Sequence, residues 1–275
     1  MKNPSVILMG SKPASALALM TMLELEWDVK YVVISSKLKH PWYKEKTLEK
    51  IAEEKKIPVL TQKEIPRGKK VDIIISYMYR HLVKPEVIEL AKVAALNFHP
   101  GPLPEFAGWY FYNMAILENS DYYGCTCHYL DNNFDTGPLL KVSRFPMNAQ
   151  EETAYTLERK TQADMIKLFY QFCILIENGS ELPKEVQNKN KMRYLSKEEF
   201  QKLKKIPKNI NEESIDRYAR AFWYPPYQCA YIEYNGAKVE IVPEIAKEQI
   251  AEDSHQNDLQ YLISELNMFK HSFNT

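Results

Sequence analysis

Short apolar runs alternate with helix-patterned stretches through the first half of the chain. Val6-Ile7-Leu8-Met9 is apolar on both faces and leads into Gly10-Ser11. Ala14 to Glu26 is rich in Ala, Leu and Met and reads as a helix. Val29 to Ser35 is a second β-branched run. Thr47 to Lys56 has a polar helical pattern, and Ile57-Pro58-Val59-Leu60 is a short strand. Val71 to Ser76 is a longer strand, Pro85 to Lys92 a helix, and Val93 to Phe98 a further strand. Strands apolar on both faces and separated by helices indicate a mostly parallel sheet covered on both sides. The expected fold is therefore α/β and doubly wound, with ligands at the carboxyl ends of the strands. Gly10-Ser11-Lys12 and His99-Pro100-Gly101 both fall just beyond such ends.

Glu151 to Asn178 carries the strongest helical period. Ala154, Leu157, Thr161, Met165, Leu168, Phe172 and Leu175 recur at three- and four-residue steps, and Gly179 stands where a helix C′ glycine belongs. Beyond Pro183 the chain becomes more polar. Tyr231 to Tyr234 and Lys238 to Val242 then read as strands joined by Asn235-Gly236, a hairpin turn. Leu259, Leu262, Ile263 and Leu266 give the tail a short amphipathic helix. These changes predict a catalytic domain over 1–180. A smaller C-terminal subdomain, with the hairpin and the terminal helix, is expected over 181–275.

Charge narrows the function. The 275 residues contain 36 Lys and Arg against 36 Asp and Glu. No excess positive charge exists to grip nucleic acid through its phosphates. The first apolar run is too short for a signal peptide or a membrane span. Four cysteines in a chain of this size do not suggest a disulfide framework. A cytoplasmic protein without membrane or nucleic-acid partners is expected.

Candidate chemistry concentrates between Ala95 and Lys141. Asn97 and His99 sit two apart, so an extended backbone points both to one face. His99-Pro100-Gly101-Pro102-Leu103-Pro104 follows as a stiff loop, then Gly108, then Gly124 to Asp131, then Asp135-Thr136-Gly137. A His beside a carboxylate is a usual general acid/base unit, and an amide donor next to it can stabilise an oxyanion. Asn-x-His and Asp-x-Gly are also common as structural elements, so spacing alone leaves both readings open. Cys125-x-Cys127-His128 does not predict a metal site. On a strand the two cysteines face one way and the histidine the other, and no second ligand pair follows.

The ordered set Asn97, His99, Leu103-Pro104, Gly108, Gly124, Thr126, His128, Asp135 and Gly137 resembles the signature of the folate-dependent formyltransferases. The resemblance extends over residues 5–180. It implies N10-formyltetrahydrofolate as donor and a tetrahedral mechanism on a neutral amine. Asn97 would stabilise the oxyanion, His99 would accept the amine proton, and Asp135 would hold His99 or an associated water and stabilise the cation that forms. Tyr77, Met78, Tyr79 and Arg80 would lie where the family places the pterin, with Gly137 counted among the donor-binding residues.

Two subfamilies differ in the acceptor. Methionyl-tRNA formyltransferases resemble this chain less, because residues 183–275 hold 14 Lys and Arg against 14 Asp and Glu. Glu105-Phe106-Ala107 also lacks the basic residue those enzymes tend to carry there. Gly108-Trp109-Tyr110-Phe111-Tyr112 and Arg220-Ala221-Phe222-Trp223-Tyr224-Pro225-Pro226-Tyr227 are more similar to the nucleotide-sugar N-formyltransferases. Aromatic faces suit a nucleobase, so Gly108, Trp109, Phe222, Trp223 and Tyr224 are expected at the acceptor. Arg193 and Lys12 are candidates to neutralise a diphosphate. The implied acceptor is a UDP- or dTDP-linked amino dideoxy sugar of the kind used in O-antigen and lipopolysaccharide biosynthesis, and the implied assembly is a homodimer. Alternatives are a methionyl-tRNA formyltransferase, a formyltetrahydrofolate hydrolase, a nicotinamide-dependent dehydrogenase and a non-catalytic binding module. The dehydrogenase is disfavoured because Gly10-Ser11-Lys12-Pro13 lacks the second and third glycines of a dinucleotide turn.

Overall fold

The computed structural model describes residues 1–10, 12–35, 47–193, 195, 197–225, 227, 229–246 and 258–273, with only the backbone of Pro13, Asp258 and Leu259. Ser11, His40, Tyr194, Pro226, Ile250 and His255 lie outside the described residues, as does the Leu259 side chain.

Seven strands form one sheet in the order β3-β2-β1-β4-β5-β6-β7. They are β1 (Ser5–Gly10), β2 (Asp28–Val33), β3 (Val59–Leu60), β4 (Val71–Tyr77), β5 (Ala91–His99), β6 (Tyr122–Tyr129) and β7 (Leu139–Pro146). The first five run parallel, while β6 and β7 add to the edge antiparallel. Helices α1 (Pro13–Glu24), α2 (Leu48–Glu54), α3 (Pro85–Ile88), α4 (Phe111–Leu117) and α5 (Ala154–Glu177) connect and flank them. The doubly wound, mostly parallel α/β fold expected from the apolar runs is the fold observed.

Strand alternation divides the core. Val6, Leu8, Ile73, Ile75, Leu96 and Phe98 face α1 and α5, while Ile7, Met9, Val33, Ile74 and Ala95 face α3. Both faces are apolar there, so β1 and most of β4 read as near-continuous hydrophobic runs. The helix expected over Pro85 to Lys92 stops at Ile88, because Ala91 is already paired with Val71 of β4. Sheet pairing overrides the helical pattern there.

Helix α5 begins at a Thr153–Thr156 capping box and ends at Gly179, whose φ of 66° closes the helix in the left-handed region. Beyond it come α6 (Lys197–Leu203), α7 (Glu212–Phe222), the hairpin of β8 (Ala230–Tyr234) and β9 (Ala237–Ile241), and α8 (Asp258–Phe273). The hairpin turn is Asn235-Gly236, both at positive φ as a type I′ turn requires. Among the described residues, these later elements pack against the earlier part of the chain. Phe200, Ile206, Ala221, Phe222 and Ala230 share one apolar cluster with Tyr112, Ile116, Tyr123 and Leu157. Leu262 and Leu266 of α8 return to the cluster under α1 and α5. No helix among the described residues is long and apolar enough to cross a membrane.

Candidate active site

Asn97 and His99 occupy the last three positions of β5, and Phe98 between them is fully buried on the opposite face. In the β5–β6 register Asn97 stands opposite His128. Cross-strand partners share a face, so His128 joins the pair while Cys125 and Cys127 point into the hydrophobic core. All four cysteines are free and buried. No cluster of three or more His, Cys, Asp or Glu side chains able to hold a metal occurs among the described residues.

Asp135 completes the floor. It lies on the turn between β6 and β7 with φ of 57°, a left-handed conformation that strains a residue carrying a Cβ. Its Oδ1 lies 3.4 Å from His99 Nδ1 and 3.5 Å from His128 Nε2. Its Oδ2 accepts the Gly108 backbone N–H at 2.9 Å. Burial alone would raise this carboxyl's pKa, but the two imidazoles and the Gly108 N–H outweigh it and hold the pKa at about 2. Asp135 is therefore an anion at neutral pH.

Hydrogen bonds fix the ring tautomers. His99 Nε2 lies 2.8 Å from the Phe106 carbonyl, so that nitrogen carries a hydrogen and donates it. In the neutral ring Nδ1 is then the basic atom, and it faces Asp135. Burial pushes the His99 pKa below its usual value, against the Asp135 charge and the Phe106 carbonyl. Neutral His99 can thus accept a proton at Nδ1, where the resulting cation meets the carboxylate. His128 donates from Nδ1 to the Tyr129 carbonyl at 2.8 Å, leaving Nε2 to accept from the Asn97 amide at 3.0 Å. The second Asn97 hydrogen reaches Asp135 at 3.4 Å, a long contact that an oxyanion could replace.

Two glycines make room for this arrangement. A Cβ at Gly101 would fall 2.8 Å from both His99 Nε2 and the Phe106 carbonyl, against the hydrogen bond that sets the tautomer. A Cβ at Gly137 would fall 1.8 Å from the Tyr129 carbonyl, the atom that orients His128. Thr126, opposite His99, accepts the Leu103 N–H and donates to the Gly101 carbonyl, which supports the proline loop from beneath.

The floor opens into a cavity of about 550 Å³. Its lining includes Met78, Tyr79, Arg80, Leu82, Val83, Leu130 and Phe134 from beyond the ends of β4 and β6, together with Gly108, Trp109, Tyr110, Lys197, Phe200, Lys204, Phe222, Tyr224 and Tyr227. Tyr110 stacks on Phe200 with ring centroids 3.5 Å apart.

Several expected residues sit elsewhere or act differently. The Tyr77 ring is fully buried against Phe98, on the sheet face away from the cavity. Trp223 leaves α7 in extended backbone and packs with Cys229 and Ala246, so it lines no part of the cavity. Gly137 lies behind Tyr129 and not in the cavity wall. Arg193 is outside the cavity, in a bidentate ion pair with Glu118 at 2.6 Å and over the Phe106 ring. Lys12 lines the wall, but Glu158 already neutralises it at 3.0 Å, and Tyr224 bridges the two. The pattern missed Glu158, a carboxylate on the buried face of α5. It also missed Lys204, which is 7% exposed in the wall, and Gln187 beneath the Asp135 turn. Only Glu158 left a trace in the sequence, as a charge inside the apolar stripe of α5.

Fold and floor together define an α/β protein with a buried acid–base centre at the carboxyl ends of its strands. Residues 19–172 match the formyl transferase family, and the chain belongs to that family. It is 30% identical to the GDP-perosamine N-formyltransferase of Brucella melitensis over 174 residues, 63% of this chain and 65% of that protein. It is 24% identical to the methionyl-tRNA formyltransferase of Clostridioides difficile over 198 residues, 70% of this chain and 59% of that one. The matched stretch thus spans under two thirds of each curated relative's length. Among solved structures, an N-formyltransferase from Helicobacter canadensis in complex with folinic acid and dTDP-3-aminofucose is 25% identical. It superposes with a TM-score of 0.73, covering 87% of this chain and 86% of that one.

Proposed function

We propose that this protein transfers the formyl group of N10-formyltetrahydrofolate to the amino group of a nucleotide-linked amino sugar. The observation that carries the proposal is the commitment of His99 Nε2 to Phe106, which leaves basic Nδ1 facing ionised Asp135 on the floor of the cavity. The neutral acceptor amine attacks the formyl carbon, and the carbonyl oxygen becomes an oxyanion beside the Asn97 amide. His99 takes the amine proton at Nδ1, and Asp135 stabilises the imidazolium. The bond to N10 then breaks, N10 gains a proton, and tetrahydrofolate leaves.

The apolar slot of Met78, Tyr79, Leu82 and Val83, with Arg80 at its side, suits a flat pterin and an acidic tail. Phe222, Tyr224 and Tyr227 offer rings to a base, and Lys197 and Lys204 offer charge to a diphosphate. In this reading Lys204 takes the part expected of Arg193. The GDP-perosamine in the name of the Brucella protein and the dTDP-3-aminofucose in complex with the Helicobacter protein support a nucleotide sugar. The formamido sugar would feed surface-polysaccharide assembly in the cytoplasm, with the protein as a homodimer.

The test is formyl transfer from N10-formyltetrahydrofolate to dTDP-, GDP- and UDP-linked amino sugars, with methionyl-tRNA as control and mass spectrometry as readout. A mass gain of one formyl group on a sugar nucleotide is expected. Formylation of methionyl-tRNA alone would overturn the acceptor class, and donor loss without any formylated acceptor would point to hydrolysis.

A further inference from the structure

Gln187 belongs to the segment that follows α5, beyond the Asn97-to-Gly137 stretch that carries the family signature. It is 6% exposed. Its Nε2 donates to the Asp135 carbonyl at 2.8 Å and to the Gly137 carbonyl at 2.6 Å. One side-chain amide thereby spans the turn that carries Asp135. Its Oε1 has no hydrogen-bond partner among the described residues. Reversing the amide would aim Oε1 at two carbonyl oxygens, so the donor orientation is the one that avoids acceptor–acceptor contact.

The segment is itself anchored. Leu139 and Glu185 exchange backbone hydrogen bonds at 2.7 and 2.9 Å, which lays the segment along the start of β7. Asp135 sits at a positive φ, which a residue with a Cβ keeps only when its surroundings hold it there.

We propose that Gln187 is a positioning residue for the acid–base centre, holding the 135–137 turn so that the Asp135 carboxylate stays against His99, Asn97 and the Gly108 N–H. The catalytic part of this proposal rests on the formyl-transfer reading, and the geometric part does not. The His99 ring meets His128 from β6, Asp135 from the turn, the Phe106 carbonyl from the proline loop and the Phe111 ring from α4. Of these only Asp135 supplies negative charge. A carboxylate that drifts away removes support for protonated His99, and the His99 titration moves to still lower pH.

The test uses the whole chain. Gln187→Met keeps the volume and removes both donors. Its kcat is expected to fall about 100-fold, the scale of a small misplacement near a reacting centre. The KM values for donor and acceptor should stay near wild type. In the protein without substrates, the His99 ring signal, followed by NMR and assigned by its loss in His99→Asn, should titrate at lower pH. Gln187→Glu presents an acceptor to both carbonyls when ionised and regains one donor when protonated. Its turnover relative to wild type should decline as pH rises through that carboxyl's titration. An unchanged His99 titration with unchanged kcat in Gln187→Met overturns the proposal. If Gln187→Met does not fold, a Gln187→Glu protein with the wild-type pH profile overturns it. Should wild type transfer no formyl group at all, the proposed activity fails, while the His99 titration still decides the role of Gln187.

Discussion

The floor and the far wall of the cavity are built on opposite plans. On the floor, Asn97, His99, His128 and Asp135 come from β5, β6 and the turn after them, and each polar group is tied to a neighbour or to backbone. Sheet pairing sets their spacing, so a change in one is felt by all. The wall draws on Gly108 to Tyr110, on α6 and Lys204 just after it, and on Phe222 at the end of α7 with Tyr224 and Tyr227 beyond it, and α6 and α7 reach the cavity because Phe200 and Phe222 are buried against residues of α4 and α5. Its charges are tuned one at a time: Lys12 is cancelled by Glu158, whereas Lys204 is partly desolvated with its pKa lowered by burial. Chemistry needs atoms fixed relative to one another, while recognition needs a surface of suitable shape and charge.

The largest effect expected from breaking that division comes from the floor. His99→Asn should lower kcat by about 10²- to 10⁴-fold, the range for loss of a general base, while circular dichroism and thermal melting show an intact fold. The wild-type pH profile sharpens the point. Since burial depresses the His99 pKa, the neutral base persists below the ordinary histidine value of 6.5. The acid limb of kcat/KM assigned to His99 should therefore lie under pH 6.5, and Asp135, at about 2, should not titrate within the assay range. An acid limb above pH 6.5 that disappears in His99→Asn would show that Asp135 outweighs desolvation.

Gly137→Ala comes next. The new Cβ would fall 1.8 Å from the Tyr129 carbonyl, which is backbone and has no flexible end to swing aside. Overpacking of this kind costs about 1–3 kcal/mol, read as a lower melting temperature. Activity should fall as well, because the displaced carbonyl is the acceptor for His128. A variant that melts normally and binds folate weakly would restore Gly137 to the donor-contact role that its motif suggested.

The same division explains what the sequence disclosed. Strand alternation, a two-residue period, made part of the floor readable: Asn97 and His99 must share a face and His128 must face away from Cys127, whereas the place of Asp135, on a turn beyond β6, came only from the resemblance. The parallel sheet was readable because its strands are apolar on both sides. Aromatic clustering near residue 222 pointed to the wall but could not separate Phe222 and Tyr224, which line the cavity, from Trp223, which packs away from it. That choice depends on how α7 ends. Lys204 and Gln187 left no local signature, since each acquires its position only through contacts made across the fold. The end of α3 was misplaced for a related reason, as pairing of Ala91 with Val71 is invisible in the helical pattern.

A milder effect is expected at the wall. Lys204→Met should raise the acceptor KM about 10-fold, the scale of one charge-assisted hydrogen bond, with kcat and the donor KM little changed. Steady-state kinetics with each substrate varied in turn would show this. A fall in kcat instead would mean that the wall helps to align the amine and that the two regions are coupled.

The smallest expected effect tests the boundary of the wall. Arg193 pairs with Glu118 through two 2.6 Å contacts, but both side chains are partly exposed, at 54% and 31%. Exposed pairs contribute about 0–1 kcal/mol. Glu118 caps the C-terminal end of α4, where a carboxylate is opposed by the helix dipole, so the guanidinium relieves a local repulsion. Arg193→Ala should therefore lower the melting temperature slightly and leave kcat and both KM values at wild type. Trp109 decides whether that isolation holds, because its half-exposed ring borders both the main cavity and the small cleft that contains Arg193. If Arg193→Ala raises the acceptor KM alone, the diphosphate passes Trp109 and draws Arg193 away from Glu118. Glu118→Gln would then lower that KM by releasing the arginine, an opposite sign that a purely structural ion pair cannot produce.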